Sequence, residues 1–373
     1  MIKCAFFPTL PATLPVVRYI MDGCTEYKIT TLLSFPGSGL IGEDGGFADY
    51  RERLGLCVQE EIEKDSHLWD CLLVADHQDV LNKEKNDEYT KQLVLAAIRL
   101  QKRVVCSKRL TTEERESFER IAAANNCGFM YLPAQVPPMP SKPAGALERL
   151  HSFYILFDSI VSDPISMGTC LKCVEQLSPK YRVIVFSTDE NSLLCETKTL
   201  YPILYSSASE VEKVYAVNRF LADIERRSHP EIVILHISEP VLPFDDTVPN
   251  GFGIVPFMLS KSMPTNMFIC SIPFIYYSVE FAENLSEGIF RQNGYPVDGI
   301  SISNLLIDSS SAVDKERVSI VYVKNEVVEN YLNPVRPVDS IPVYNTLSHD
   351  EMTRLALDIE DAYLQFTSTR VIP

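Results

Sequence analysis

Residues 70–76 read Asp-Cys-Leu-Leu-Val-Ala-Asp, five apolar side chains in a row between two carboxylates. A run this short with no polar alternation suits a strand covered on both faces, as in parallel sheets. The signature returns at Tyr181–Ser187 (YRVIVFS) and Glu231–Ile237 (EIVILHI). Between such runs the spacing turns helical. Glu88–Leu100 sets Leu93, Ala96, Ala97 and Leu100 on one face. Ser209–Arg227 carries a stripe of Val211, Val214, Tyr215, Val217, Leu221 and Ile224. Ser209 with Glu212 three residues on predicts a capping box at its start. Alternating strands and helices predict an α/β protein with mostly parallel sheets in three layers, Rossmann-like or P-loop-like.

Working outward, Lys3–Phe7 is a short apolar run stopped by Pro8, and further strands are predicted at 27–35, 55–58, 103–107, 129–132, 151–160, 267–272, 297–303 and, as an edge, 320–328. Helices are predicted to open at Pro15, to fill 60–67, 113–125, 170–177, 252–263 and 278–293, and to close the chain at 348–367. Residues 133–145, PAQVPPMPSKPAG, hold five prolines and can sustain neither a helix nor a central strand. They predict an N-terminal domain over 1–132, a linker over 133–146 and a C-terminal domain over 147–373.

The 373 residues allow two ordinary domains. A formal charge of -16 argues against nucleic acid or an anionic membrane as main partner. Prolines interrupt the N-terminal apolar run, and no apolar stretch reaches membrane-spanning length, so a soluble cytoplasmic protein without membrane insertion is expected. The ten cysteines fall mostly within apolar runs and read as buried thiols.

Candidate chemistry begins at 36–49, PGSGLIGEDGGFAD, which follows a predicted strand. Gly37, Gly39, Gly42, Gly45 and Gly46 would let backbone N–H groups approach an anion or nucleotide. Asp44 and Asp49 are candidates beside them. Tight turns of a surface loop would give the same pattern, and Glu43 and Asp44 would repel a phosphate without a metal. At 166–173, Gly168, Thr169 and Lys172 fall where a phosphate loop would precede a helix, but GxxxxGK[ST] is not intact. Cys170 and Cys173 form a CxxC, either a redox pair or chance spacing; the second CxxC of a zinc site is lacking. Asp76, His236 and Glu239 lie at predicted strand ends, where open α/β sheets place ligands. Asn250, Gly251 and Gly253 flank Phe252 at a strand-to-helix turn suited to a ligand lip, or to a plain loop.

Several of these segments occur together in one known family. Pro15-Val16-Val17-Arg18-Tyr19, then LLSFPGSGLIGEDGGFAD (32–49), then 70–76, resemble the clostridial natural-product peptide maturation proteins. In the second half Ile224-Glu225, Pro230–Ile234, Asn250–Ile254, Asp298–Asn304 and Asp308 match in order and spacing. Members of that family are encoded beside small Cys-rich bacteriocin-like precursors, a radical-SAM maturase and an acyl-carrier-like protein. The resemblance implies an accessory protein that binds precursor peptide or partner enzymes, with a second domain of P-loop-like layout. It supplies no catalytic motif, and this sequence departs from the layout at 165–173. Two other readings stand beside it: a nucleotide-dependent enzyme using 36–49, and a non-catalytic scaffold derived from a P-loop ATPase.

Overall fold

A computed structural model describes residues 1–77, 83–133, 145–162, 164–244, 249–308, 319–333 and 341–369. The chain forms two compact units, Met1–Ala134 with Glu190–Thr197, and Gln135–Asp189 with Lys198–Pro373. Most of the predicted linker, 134–144, lies outside the described residues.

The first unit contains β1 (Ile2–Phe7), α1 (Leu14–Met21), β2 (Tyr27–Leu33), β3 (Val58–Gln59), β4 (Cys71–Val74), α2 (Lys83–Arg99), β5 (Arg103–Cys106), α3 (Thr112–Ala124) and β6 (Phe129–Tyr131). Its sheet is parallel with order β3-β2-β1-β4-β5-β6, the 3-2-1-4-5-6 order of the Rossmann fold. The run at 70–76 supplies β4, whose four residues are all buried, as the unbroken apolar pattern requires. Thr111 caps α3 by accepting from Glu114 N, and Glu114 returns the bond. The helix expected over 60–67 is reduced to a 3₁₀ turn at Ser66–Leu68.

The second unit contains β7 (Phe153–Ser159), α4 (Pro164–Leu177), β8 (Val183–Ser187), β9 (Lys198–Thr199), α5 (Tyr201–Leu204), α6 (Glu210–Ser228), β10 (Ile232–His236), α7 (Ile254–Ser262), β11 (Met267–Pro273), α8 (Val279–Asn293), β12 (Gly299–Ser303), β13 (Leu305–Asp308), β14 (Ser319–Tyr322), α9 (Asn325–Leu332), β15 (Val343–Asn345) and α10 (His349–Thr369). The seven-stranded sheet runs β15-β12-β11-β7-β10-β8-β9, all parallel, while β13 and β14 pair antiparallel. Helices α4 and α10 pack together, and the layer under them is Phe153, Ile155, Phe157, Ile232 and Ile234. The opposite face carries α6, α7 and α8 over Tyr154, Leu156, Val233, Leu235 and Phe268. Alternate residues of β7 and β10 therefore serve two apolar layers, which is why those strands read as unbroken hydrophobic runs.

Three expectations change here. The strand predicted over 320–328 ends at Tyr322, and α9 follows because Val328 and Leu332, four residues apart, are both buried. Helix α4 starts at Pro164 rather than at residue 170, since proline suits a helix's first turn. Residues Glu190–Thr197, expected in the C-terminal domain, belong to the first unit. A 3₁₀ turn at Glu190–Cys195 packs there on α1. The Asn191 amide holds it by accepting from Asp76 N (2.6 Å) and donating to Asp76 O (3.2 Å), and Glu190 pairs with Arg109.

Candidate functional site

In a sheet of order 3-2-1-4-5-6 the topological switch point lies outside the carboxyl ends of the first and fourth strands. In the first unit these are β1 and β4, and Asp76 and His77 follow β4 directly. Lys108, just past β5, reaches back to both. Its ammonium lies 2.7 Å from Asp87 Oδ1, 3.4 Å from Asp76 Oδ1 and 3.3 Å from His77 Nε2. His77 Nε2 is also 3.3 Å from Asp87 Oδ1, and its ring stands edge-on to Phe35 at 5.0 Å. Lys108 and His77 are buried and Asp76 is half-buried. The sequence marked Asp76; it gave no sign of Lys108 or Asp87, which are distant in sequence and carry no motif.

The glycine loop follows β2, not β1, so it is not placed as a dinucleotide loop would be. Among its residues Asp44 is the organiser. Burial pushes its carboxyl up, but backbone N–H groups of Leu54, Gly46 and Gly55 donate to it and leave it below the ordinary range. Asp49 takes a two-point contact from Arg18 of α1, at 2.7 and 3.2 Å. A Cβ on Gly46 would stand 2.4 Å from the Glu52 carbonyl oxygen, so only glycine lets the two loop strands approach. Gly45 is packed as closely, 2.6 Å from Leu32 Cδ1. Gly37, Gly39 and Gly42 have positive φ and open space around them. The loop thus accounts for its own glycines and carboxylates, and it leaves Ile41, Phe47 and Tyr50 exposed.

In the second unit β7 is the switch-point strand, with β10 on one side and β11 on the other. The carboxyl ends of β7, β8 and β10 gather hydroxyls and one imidazole. His236 is buried between Ser166 Oγ (2.9 Å from Nε2) and Ser187 Oγ (3.0 Å from Nδ1). Burial lowers its pKa to about 3, so it is neutral, with one ring nitrogen donating and the other accepting. Thr188 Oγ1 donates to Glu239 Oε2 at 2.8 Å and accepts from Ser238 N at 2.9 Å. Asp158, fully buried at the end of β7, accepts from Ser159 N through Oδ1, while its Oδ2 has no hydrogen-bond partner among the described residues. Burial pushes this carboxyl well above its ordinary range, Ser159 N–H opposes that, and nearby Glu239 adds to it. The sequence marked His236 and Glu239 but not Asp158, which reads as one more strand residue.

The proposed phosphate-loop residues are corrected by the start of α4. Gly168, Thr169 and Lys172 lie within that helix, where backbone N–H groups already serve the helix's own bonds. Thr169 Oγ1 donates to Ile165 O at 3.1 Å, and Lys172 Nζ lies 2.7 Å from Glu175. Cys170 and Cys173 are buried in the same helix, and burial raises both thiols, opposite to what a reactive pair needs. Among the described residues no group of three His, Cys, Asp or Glu side chains could hold a metal ion. Asn250 opens a 3₁₀ turn, Asn250–Gly253, in which Gly251, Phe252 and Gly253 are left-handed in succession. A Cβ on Gly253 would lie 2.3 Å from the Val241 carbonyl oxygen. This turn presents Phe252, 63% exposed, at the start of α7.

No family model matches this chain, and no curated protein matches it. Among solved structures it is similar to a DUF1611 family protein from Anabaena variabilis, with a TM-score of 0.56 at 12% identity, over 98% of this chain and 100% of that one. It also aligns with an apo-form GTPase from Pyrococcus abyssi at a TM-score of 0.32 and 12% identity, over 57% of this chain and 97% of the other; that likeness carries no argument. The first comparison shows the two-unit, mostly parallel α/β fold and nothing finer.

Proposed function

We propose that this chain is a cytoplasmic accessory protein of a ribosomal-peptide (bacteriocin-like) maturation system, binding the precursor peptide or a partner enzyme rather than hydrolysing a nucleotide. The resemblance at 15–19, 32–49, 70–76, 224–225, 230–234, 250–254, 298–304 and 308 supports the setting. One observation supports the binding role. The carboxyl edge of the second sheet, where a phosphate loop would act, offers neutral hydroxyls, a neutral imidazole and carboxyl groups, while Lys172 faces Glu175 from inside α4. Such groups suit amides; phosphoryl transfer needs cations aimed at the phosphates. Among the described residues no helix is long and apolar enough to cross a membrane. With the charge of -16, that favours neither membrane nor nucleic acid as partner.

Thermal unfolding with ATP, GTP and NAD, each with and without Mg²⁺, tests the reading. A nucleotide held at 100 times its Kd would stabilise by about 2.7 kcal/mol. No shift is expected, and a shift of several degrees overturns it. Retention of the neighbouring Cys-rich precursor on the tagged, intact chain is the positive test. Lack of such a peptide and a maturase among the neighbouring genes defeats it.

A second reading has an observation of its own. The Rossmann strand order favours a small ligand, such as a nucleotide, outside β1 and β4 of the first unit, where Lys108 is paired with Asp76 and Asp87. Against this, Pro8 and Pro11 follow β1 where glycines would cradle a pyrophosphate. The same thermal series decides, since only this reading expects a shift.

A further inference from the structure

The second unit has a cavity of about 430 Å³ at the opposite, amino-terminal edge of its sheet. That volume lies within the range of small-ligand sites. Its walls come from the lead-in to β7 (His151, Ser152), the end of α6 (Glu225 to His229), the lead-in to β10 (Pro230, Glu231) and the last turns of α10 (Tyr363, Phe366).

Two kinds of surface meet there. One is aromatic. Phe366 stands edge-on to Phe153 at 5.2 Å, and Tyr363 contacts both Phe153 at 5.9 Å and Tyr181 at 5.0 Å, so both rings are buttressed from below. The other is anionic, and its carboxylates are fixed. Glu225 accepts from His151 N, Ser152 N and Tyr154 OH. Glu231 Oε2 accepts from Arg182 N at 3.0 Å. The cations nearby are already engaged. Arg226, also on the wall, is paired with Glu148 and Asp223. Arg182 Nη1 stays 3.8 Å from Glu231, on a side chain 65% exposed, while its Nε donates to His229 O. A cation entering beside Tyr363 and Phe366 would therefore meet aromatic side chains and preset carboxylates at once, the combination that selects organic cations.

We infer that this cavity binds a lysine or arginine side chain adjoining an apolar residue in a peptide. The aromatic walls would take the apolar neighbour and the alkyl stem, and Glu225 and Glu231 would face the charged head. The inference takes its choice of ligand, a peptide, from the binding role proposed above and gives that role a second place on the molecule.

The test titrates the intact chain with acetyl-Phe-Arg-amide and with acetyl-Phe-citrulline-amide, which keeps the shape and removes the charge. The arginine peptide should bind about tenfold or more tightly than its neutral twin. Glu231→Gln, which keeps an acceptor for Arg182 N, should reduce that preference. Phe366→Ala should weaken both peptides. Equal binding of the two peptides, no binding of either, or an unchanged preference in Glu231→Gln overturns the inference; Glu231→Gln decides should Phe366→Ala loosen the end of α10. Failure here leaves precursor capture and the nucleotide series untouched, so the two readings can fall separately.

Discussion

The carboxyl edges of the two parallel sheets differ in strand order and in chemistry. In the first unit the edge holds full charges: Lys108 among Asp76, Asp87 and His77. In the second it holds a neutral imidazole between two serines and a fully buried carboxyl that favours its protonated form. A parallel sheet fixes where a site can lie, because all strand ends and helix starts converge there. It does not fix what the site contains. Among the described residues the first edge carries the paired Lys108 ammonium and the second carries hydroxyls and an imidazole, so a nucleotide is worth testing in the first unit and an amide-binding role in the second.

The sharpest way to break the contrast is Lys108→Met. It leaves Asp76 and Asp87 without their shared cation in a largely buried setting, and should destabilise the first unit by about 3 kcal/mol. The chain's single tryptophan, Trp69, is buried in that unit, so its fluorescence during denaturant unfolding reads the change directly. A loss under 1 kcal/mol would mean that the cluster is not a coupled unit.

In the second unit His236→Gln should cost about 2 kcal/mol near pH 7, through the two serine contacts. Its pH dependence carries a sign. With the folded pKa lowered to about 3, the imidazole's contribution is complete above its ordinary value of about 6.5 and is lost as pH falls towards 3. The deficit of the variant should therefore shrink on acidification, followed by far-UV circular dichroism. A deficit independent of pH would show that burial does not hold the ring neutral.

Asp158→Asn should act in the other direction, raising stability at alkaline pH, as read by denaturant unfolding. The folded carboxyl titrates above its unfolded value, so its favourable contribution holds below about pH 4 and is lost as pH rises through the raised value. Asparagine removes that slope. Where the two transitions overlap the His236 and Asp158 slopes oppose each other, and the double variant should show a flatter profile than either single one. The smallest effects belong to the helix caps. Thr111→Ala in the first unit and Ser209→Ala in the second should each cost about 1 kcal/mol. Equal losses would show that caps, unlike the sheet edges, do not distinguish the units.

Strands were the most legible part of the sequence. Runs such as 70–76 and 231–237 are apolar throughout because both faces are covered, and that pattern needs no distant partner to be read. The capping box at Ser209 is equally local. Legibility failed where a role depends on remote neighbours. Lys108 matters through Asp87, and Asp158 through its isolation, and neither fact has a local signature. Glycine is ambiguous at two places. At 36–49 five glycines suggested a ligand cradle, yet Gly45 and Gly46 serve close chain packing and Asp44 ties the loop. At 168 a glycine suits a phosphate loop by sequence, yet it lies inside α4, which starts at Pro164.

The return of Glu190–Thr197 to the first unit bears on how the protein is made. An N-terminal domain ordinarily folds as soon as its own residues leave the ribosome. Here β7, α4 and β8 must emerge before Asn191 can reach the Asp76 backbone and Glu190 can meet Arg109. The nascent first unit therefore waits, incomplete along α1, while the opening strands of the second sheet are synthesised. A chain released just after Leu132 would lack a segment that no later domain can lend it.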